Sequence, residues 1–182
     1  MAFSTLNKDQ IKKINHGQDI PFLLSLTPSV TTTSDAGNGI GYTSLKVRGT
    51  DPSRINFTAN GIPVNDAESS QVFFVNMSDF MSSVKDLQIQ RGVGTSTNGS
   101  AAFGATVNMQ TDAPSLYPYL NFNASAGSYA THKESLRFGS GLLGNHWSFD
   151  GRLSNISSNG YIERAASQLN SYFLQGAYTG DN

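Results

Sequence analysis

The sequence predicts an α+β domain, a small mixed sheet with short helices, over residues 1–113, followed by a purely antiparallel β region over residues 114–182. Three observations carry this. All six prolines (Pro21, Pro28, Pro52, Pro63, Pro114, Pro118) lie at or before position 118. Proline interrupts a strand ladder, so the proline-free remainder suits continuous β structure. The first part mixes short helix-spaced and short alternating segments, whereas the second alternates apolar and polar residues over long stretches.

The elements of the first part follow in order. Residues 8–15 form an amphipathic helix, with Ile11 and Ile14 on one face and Asn7 as N-cap. A second helix is expected over 19–26: Asp19 caps it, Pro21 sits in its first turn and Pro28 stops it. Leu23, Leu24 and Leu26 supply its apolar side. Strands follow at 44–48, at 55–59 before the turn signal Asn60-Gly61, at 84–90 and at 105–110. Residues 77–81 can form one helical turn between the second and third of these.

In the second part Leu120, Phe122, Ala124 and Ala126 face one way and Asn121, Asn123 and Ser125 the other. Leu136 and Phe138 alternate with Arg137; Trp147, Phe149, Gly151 and Leu153 alternate with Ser148, Asp150, Arg152 and Ser154. Tyr172, Leu174, Gly176 and Tyr178 make the apolar side of a last strand, in which Phe173 breaks the pattern. These segments approach the 9–11 residues that cross a bilayer as a tilted strand, with a tight connection at 141–145 and a longer polar one at 157–168. A soluble sandwich or barrel alternates in the same way, so both readings stand at this point.

Composition removes several functions. Charged residues are 14% of the chain, against a usual share of about 25%. The net charge of −1 gives no basic surface for nucleic acid. The absence of cysteine excludes disulfides and cysteine metal sites. His16, His132 and His146 stand without metal-ligand spacing, no nucleophile–base set can be drawn, and neither metal nor cofactor is expected. Gly92-Val93-Gly94 lacks the ending of a nucleotide loop. No run approaches the ~18–20 apolar residues of a membrane helix, and no signal peptide is read at the start.

The middle of the chain carries a resemblance. Leu45-Lys46-Val47-Arg48-Gly49, then Ile55-Asn56-Phe57-Thr58-Ala59-Asn60-Gly61-Ile62-Pro63-Val64-Asn65-Asp66, resembles the plug domain of TonB-dependent outer-membrane receptors, where an IRG strand leads into a VLIDGVPLND strand and loop. Val84-Lys85-Asp86-Leu87-Gln88-Ile89-Gln90-Arg91-Gly92 is similar to the family's IEVLRG strand, and Ser100-Ala101-Ala102-Phe103-Gly104-Ala105-Thr106-Val107-Asn108-Met109 to its LYGSGALGGVVNI segment. Residues 20–30 resemble DLLRSVPGV, and Asn159-Gly160-Tyr161-Ile162-Glu163-Arg164 resembles the DGYRDRS stretch after a barrel strand. Asn65-Asp66-Ala67-Glu68 and Asn76-Met77-Ser78-Asp79-Phe80 resemble receptors of Bacteroidetes type. The family's Asp before Gly is Asn60 here, its paired Gly is reduced to Gly104-Ala105, and no TonB box is read before the plug.

The resemblance implies an α+β plug followed by the first four or so antiparallel strands of an incomplete transmembrane barrel, which closes at about 22 strands. It implies an outer-membrane location, no enzymatic activity, and energy-coupled uptake of a scarce nutrient: an iron chelate, a corrinoid or an oligosaccharide. TonB, the remainder of the barrel and the extracellular nutrient are the implied partners. Arg48 and Arg91 are implied to anchor the plug on carboxylates of the barrel wall, and Gly49, Gly92 and Gly104 to make its sharp turns. Outward loops place Asn38, Tyr42, Asn65, Asp66, Glu68, Ser69, Gln71 and Phe103 at the ligand. So few strands cannot close, so the chain alone is expected to self-associate through open edges and not to insert in a membrane. A soluble β-rich ligand-binding module is the alternative, and expects a first part without helices. A polysaccharide-active enzyme would need a carboxylate pair that the sequence does not suggest.

Overall fold

A computed structural model of the chain describes residues 2–92 and 103–180. The first part is built from β1 (Ala2–Asn7), α1 (Lys8–Ile14), α2 (Ile20–Leu23), β2 (Val30–Ser34), β3 (Thr43–Val47), β4 (Ile55–Ala59), β5 (Ile62–Pro63), β6 (Val84–Arg91) and β7 (Ala105–Thr111), with 3₁₀ turns at Pro52–Arg54, Phe74–Met77 and Phe80–Ser83. One sheet of five strands runs β1-β6-β7-β4-β5, and β2 with β3 forms a separate ribbon. β4 and β7 pair in parallel, while β7 pairs antiparallel with β6. The sheet is therefore mixed, as expected.

The core is Ile11, Ile20, Leu23, Leu24, Leu45, Val47, Ile55, Phe57, Phe74, Met81, Val84, Leu87, Ile89, Ala105, Val107 and Met109. Asn7 caps α1 through a reciprocal capping box with Gln10. In β6 the buried positions change from Val84 to Leu87 and Ile89, an odd step that the register shift between Val84 and Asp86 absorbs. Asn60 and Gly61 both have positive φ and close the β4–β5 hairpin.

Some expectations are corrected. The second helix is one turn, Ile20–Leu23, rather than 19–26. Leu26 is 88% exposed, so there is no apolar face to hold a further turn. Asp19 stands at the N-cap position without capping; its carboxylate accepts from Thr43 Oγ1 at 2.8 Å. β2 is almost wholly polar and β5 only two residues long, and tertiary pairing makes β1, β2 and β5 strands. Residues 93–94 and 100–102, which belong to the motif reading, lie outside the described residues.

The second part is a sheet of four antiparallel strands in the order β11-β10-β9-β8: β8 (Pro118–Gly127), β9 (Thr131–Leu143), β10 (Trp147–Ser158) and β11 (Ser167–Tyr178). A short turn at 144–146 and the linker 112–117 lie at one end, and the longer loop 159–166 at the other. Phe173 does not break the pattern. Opposite Arg152 in the ladder, it lies on the face toward the first part, and its ring meets Phe80 edge-on at 6.2 Å.

Candidate functional site

Alternation gives the four-stranded sheet two unlike faces. Lys133, Ser135, Ser148, Asp150, Arg152 and Ser154 are buried against the mixed domain. On the opposite face Leu120, Phe122, Phe138, Trp147, Phe149, Leu153, Tyr172, Leu174 and Tyr178 are exposed. A soluble sheet would bury the second set and expose the first.

The buried polar face is joined to the first part through Asp79. This residue adopts φ +53°, a left-handed conformation that Asp tolerates, and its side chain has no exposure. Its carboxylate meets Lys133 Nζ at 2.5 Å and Arg152 Nη1 at 2.9 Å. Ser82 and Ser154 donate to the same carboxylate, Ser154 also bonds Ser135, and Arg152 donates to the Asp79 carbonyl. Burial by itself would raise the Asp79 carboxyl, but the Lys133 and Arg152 charges and their hydrogen bonds hold it below its ordinary value. The result is one carboxylate of the mixed domain paired with two cations of the sheet.

A second junction lies at the linker. Asp112 accepts from Lys8 Nζ at 2.7 Å and from Arg137 Nη2 at 2.9 Å, and Gln175 Nε2 donates to its carbonyl at 2.7 Å. Asp150 accepts from Tyr119 Oη at 2.8 Å and from the Ser115 backbone at 3.1 Å. Between α1 and the sheet a cavity of about 260 Å³ is lined by Lys8, Lys12, Asn15, Asn121, Asn123, Lys133 and Arg137, among others. The seam is thus largely polar, with apolar contact such as that of Phe173 on Phe80 beside the charged pairs.

The expected anchors are placed elsewhere. Arg91 Nη1 donates to the Pro28 carbonyl at 3.0 Å, and Arg48 is exposed at φ +53°. Among the described residues neither meets a carboxylate. Other residues pair across this seam, with carboxylates from Asp79 and Asp112 and cations from Lys133, Arg137 and Arg152. The only acid on the inward face of these strands, Asp150, is already taken by Tyr119 and Ser115. The sequence signal for Asp79 was present but indirect: alternation turns Lys133 and Arg152 toward the mixed domain, and cations there need a counter-charge. Gly49 and Gly92 turn the chain with φ +73° and +96°. Gly104 serves differently, since a Cβ there would lie 2.7 Å from Thr50 Cγ2 and 3.2 Å from the Arg54 carbonyl.

The expected ligand residues divide. Asn65 is fully used in holding its loop: Oδ1 accepts from the Phe57 backbone, and Nδ2 donates to the carbonyls of Ile55 and Ser70. Asp66 Oδ1 accepts from the backbones of Glu68 and Ser69 and from the Ser69 hydroxyl. Hydrogen bonds from Ser69, backbone first, keep the Asp66 carboxyl below its ordinary value. Glu68 is exposed. Tyr42 and Gln71 share a cleft of about 200 Å³ with Thr33, Asp35 and Phe73, which the sequence reading did not single out. Phe103 is 71% exposed and does not line this cleft. Asn38 Nδ2 donates to Ser158 Oγ at 2.7 Å, and the Ala36 carbonyl accepts from the backbones of Tyr161 and Ile162. The arch 35–42 is therefore fastened to the loop 159–166. From below, the Asp19 backbone donates to the Gly39 carbonyl at 2.8 Å. Burial pushes the Asp19 carboxyl up to about 6, against hydrogen bonds from Thr43 and Gly41. No group of His, Cys, Asp or Glu among the described residues could hold a metal ion. No helix among them is long and apolar enough to cross a membrane.

A helix-bearing mixed domain seated by charge on the polar face of an antiparallel sheet defines a class: a domain that packs against a sheet through ion pairs. The family model described as TonB-dependent Receptor Plug Domain matches residues 1–106, more than half of the chain, and the chain belongs to that family. No curated protein sequence matches. Among solved structures, the ferric yersiniabactin uptake receptor FyuA from Yersinia pestis is similar over 100% of this chain and 29% of its own, with TM-score 0.77 and 11% identity. FpvA from P. aeruginosa covers 95% of this chain and 22% of its own, at TM-score 0.72 and 15% identity. The siderophore receptor PirA from Acinetobacter baumannii covers 87% and 25%, at TM-score 0.63 and 19% identity. At these identities the likeness is one of fold. The chain spans about a quarter of the length of these receptors. The family and the similar structures are receptors, and the chain is a receptor domain, not an enzyme.

Proposed function

We propose that the chain is the gate and the first wall segment of an energy-coupled outer-membrane receptor, of Bacteroidetes type. In this reading residues 1–113 are the plug and 114–182 the first four strands of a transmembrane barrel. The observation that carries it is the inverted sheet. Its apolar outer face runs from Trp147 to Leu153 along β10, about 20 Å of strand, with Trp147, Phe149 and Tyr178 clustered at one end. Its inner face is polar and holds the plug. An outer-membrane barrel shows lipid an apolar band with aromatic girdles and keeps a polar interior.

In the whole receptor, a scarce nutrient binds at the end bearing the arch 35–42 and the loop 159–166. TonB draws on the plug from the opposite, periplasmic end, and the polar seam yields. An iron chelate, a corrinoid and an oligosaccharide all suit such a gate, and the similar solved structures favour the iron chelate. Asn38, Tyr42, Asn65, Asp66, Glu68, Ser69, Gln71 and Phe103 form or support the plug's share of the binding face. Arg48 and Arg91 are proposed to meet carboxylates on wall strands beyond this chain. Expression of the complete gene tests the reading. The product is expected in the outer-membrane fraction, with the heat-modifiable mobility of a closed barrel, and growth on its nutrient should require TonB. A soluble product, or growth indifferent to loss of TonB, would refute it.

A further inference from the structure

We infer that the cleft beside Tyr42 receives an uncharged or cationic ligand presenting a flat apolar or aromatic face, and that it turns away polyanions. This rests on the receptor reading and narrows its substrate class. Tyr42 and Phe73 stand on the cleft 65% and 48% exposed, with Thr33 and Gln71 also lining it. Aromatic rings of this exposure bury in contact with a flat partner, and their faces favour positive charge. Among the described residues no lysine, arginine or histidine lines the cleft, and the carboxylate among them is Asp35.

Asp35 is exposed, and among the described residues its carboxylate takes part in no hydrogen bond or ion pair. Its backbone donates to the Tyr42 carbonyl at 3.0 Å, which keeps the acid beside the ring. The rim repeats the sign. Asp66 donates its backbone N–H to the carbonyl of Gln71, and Asp51 adjoins Pro52, another lining residue. Hydrogen bonds from Ser69 and from Ser53 hold these two carboxyls below their ordinary values, so both are ionised at neutral pH. Lys46 and Arg54 act on Asp51 without lining the cleft. A polyanionic chelate seated here would face the Asp35 carboxylate with no cation among the described lining residues, whereas a neutral or positive one would meet no such repulsion.

The test uses the full-length receptor in detergent and three probes: ferrioxamine B, a positively charged ferric hydroxamate; cyanocobalamin, which is neutral; and ferric enterobactin, a polyanionic ferric catecholate. Heat-modifiable mobility first establishes that the barrel has closed, which tests the receptor reading by itself. With the barrel closed, titration calorimetry is expected to show the positive or the neutral probe binding and the polyanion not. Tyr42→Ala and Asp35→Lys should each weaken the bound probe about tenfold. Asp35→Asn should weaken the positive probe more than the neutral one, separating charge from shape. Binding of ferric enterobactin to the wild type would overturn the inference. So would binding of the other probes that is indifferent to Tyr42 and Asp35, or binding of none of the three to a closed barrel.

Discussion

A carboxylate without access to water must have its charge met by protein groups, and at Asp79 those groups come from another sheet. Asp79→Asn leaves Lys133 and Arg152 buried and unpaired, an arrangement that costs about 3–5 kcal/mol. The expected result is a lower denaturant midpoint, partly restored when Lys133→Met removes one of the stranded cations. The two buried acids of the plug respond oppositely to pH. The Asp79 carboxyl lies below its ordinary value of 3.8, so its stabilising contribution is present above that pH and is lost as the pH falls through the lower folded value. Asp19 is raised from 3.8 to about 6, so its contribution is full below 3.8 and is lost as the pH rises through about 6. Asp19→Asn should therefore flatten stability between pH 4 and 6. At neutral pH it should match or exceed the wild type, by on the order of 2 kcal/mol. Denaturation curves at pH 4, 5, 6 and 7 measure both effects.

Individual strands depend on aromatic rings laid across glycines of the neighbouring strand. Gly139 faces Tyr119, Gly151 faces Phe138, and Gly176 faces Phe149 in the ladder. At Gly139 a Cβ would stand 2.4 Å from Tyr119 Cε1 and 2.7 Å from Asp150 Oδ1, and the bond between Tyr119 and Asp150 fixes both groups. Gly139→Val has no free side chain to push aside, and overpacking of this kind costs about 1–3 kcal/mol. Its unfolding midpoint should fall by that amount, whereas Gly144→Ala, with nothing within 4 Å but a φ of +56°, should lose only the turn strain. These strands were legible from alternation because apolar and polar residues take turns along each, most clearly in β10, where one face is buried and the other exposed. β2 was not, since only Val30 in Val-Thr-Thr-Thr-Ser is apolar and its partner β3 is what makes it a strand.

The whole molecule presents an apolar face with a strand edge on each side, β8 and β11, each paired on one side only. Such edges template further pairing. In detergent-free buffer the chain should scatter light as an assembly larger than its 19.5 kDa, and a monomer would contradict the open-edge reading. On the proposed barrel reading Leu174 belongs to the apolar band, so in the complete receptor Leu174→Arg should cost about 2–4 kcal/mol of barrel stability, seen as loss of heat-modifiable mobility. Ser171→Arg, on the inward face, has no such lipid cost, so comparing the two variants tests which face meets lipid.

The sequence by itself determined the mixed first part, the alternating second part and the family, because periodicity and a motif set in order are local properties of the chain. It also determined the two faces of single strands, since alternation assigns Arg137 to the side opposite Leu136 and Phe138, and Arg152 to the side opposite Leu153. Only the tertiary structure decided which charges meet. Asp79 and Lys133 are 54 positions apart, and nothing local to either says that the mixed domain supplies the acid and the antiparallel sheet the base. It decided likewise that Asn65 is spent on its own loop while Tyr42 and Gln71 share a cleft with Asp35. Pairing across a seam depends on how two folded surfaces register, and spacing along the chain does not record that.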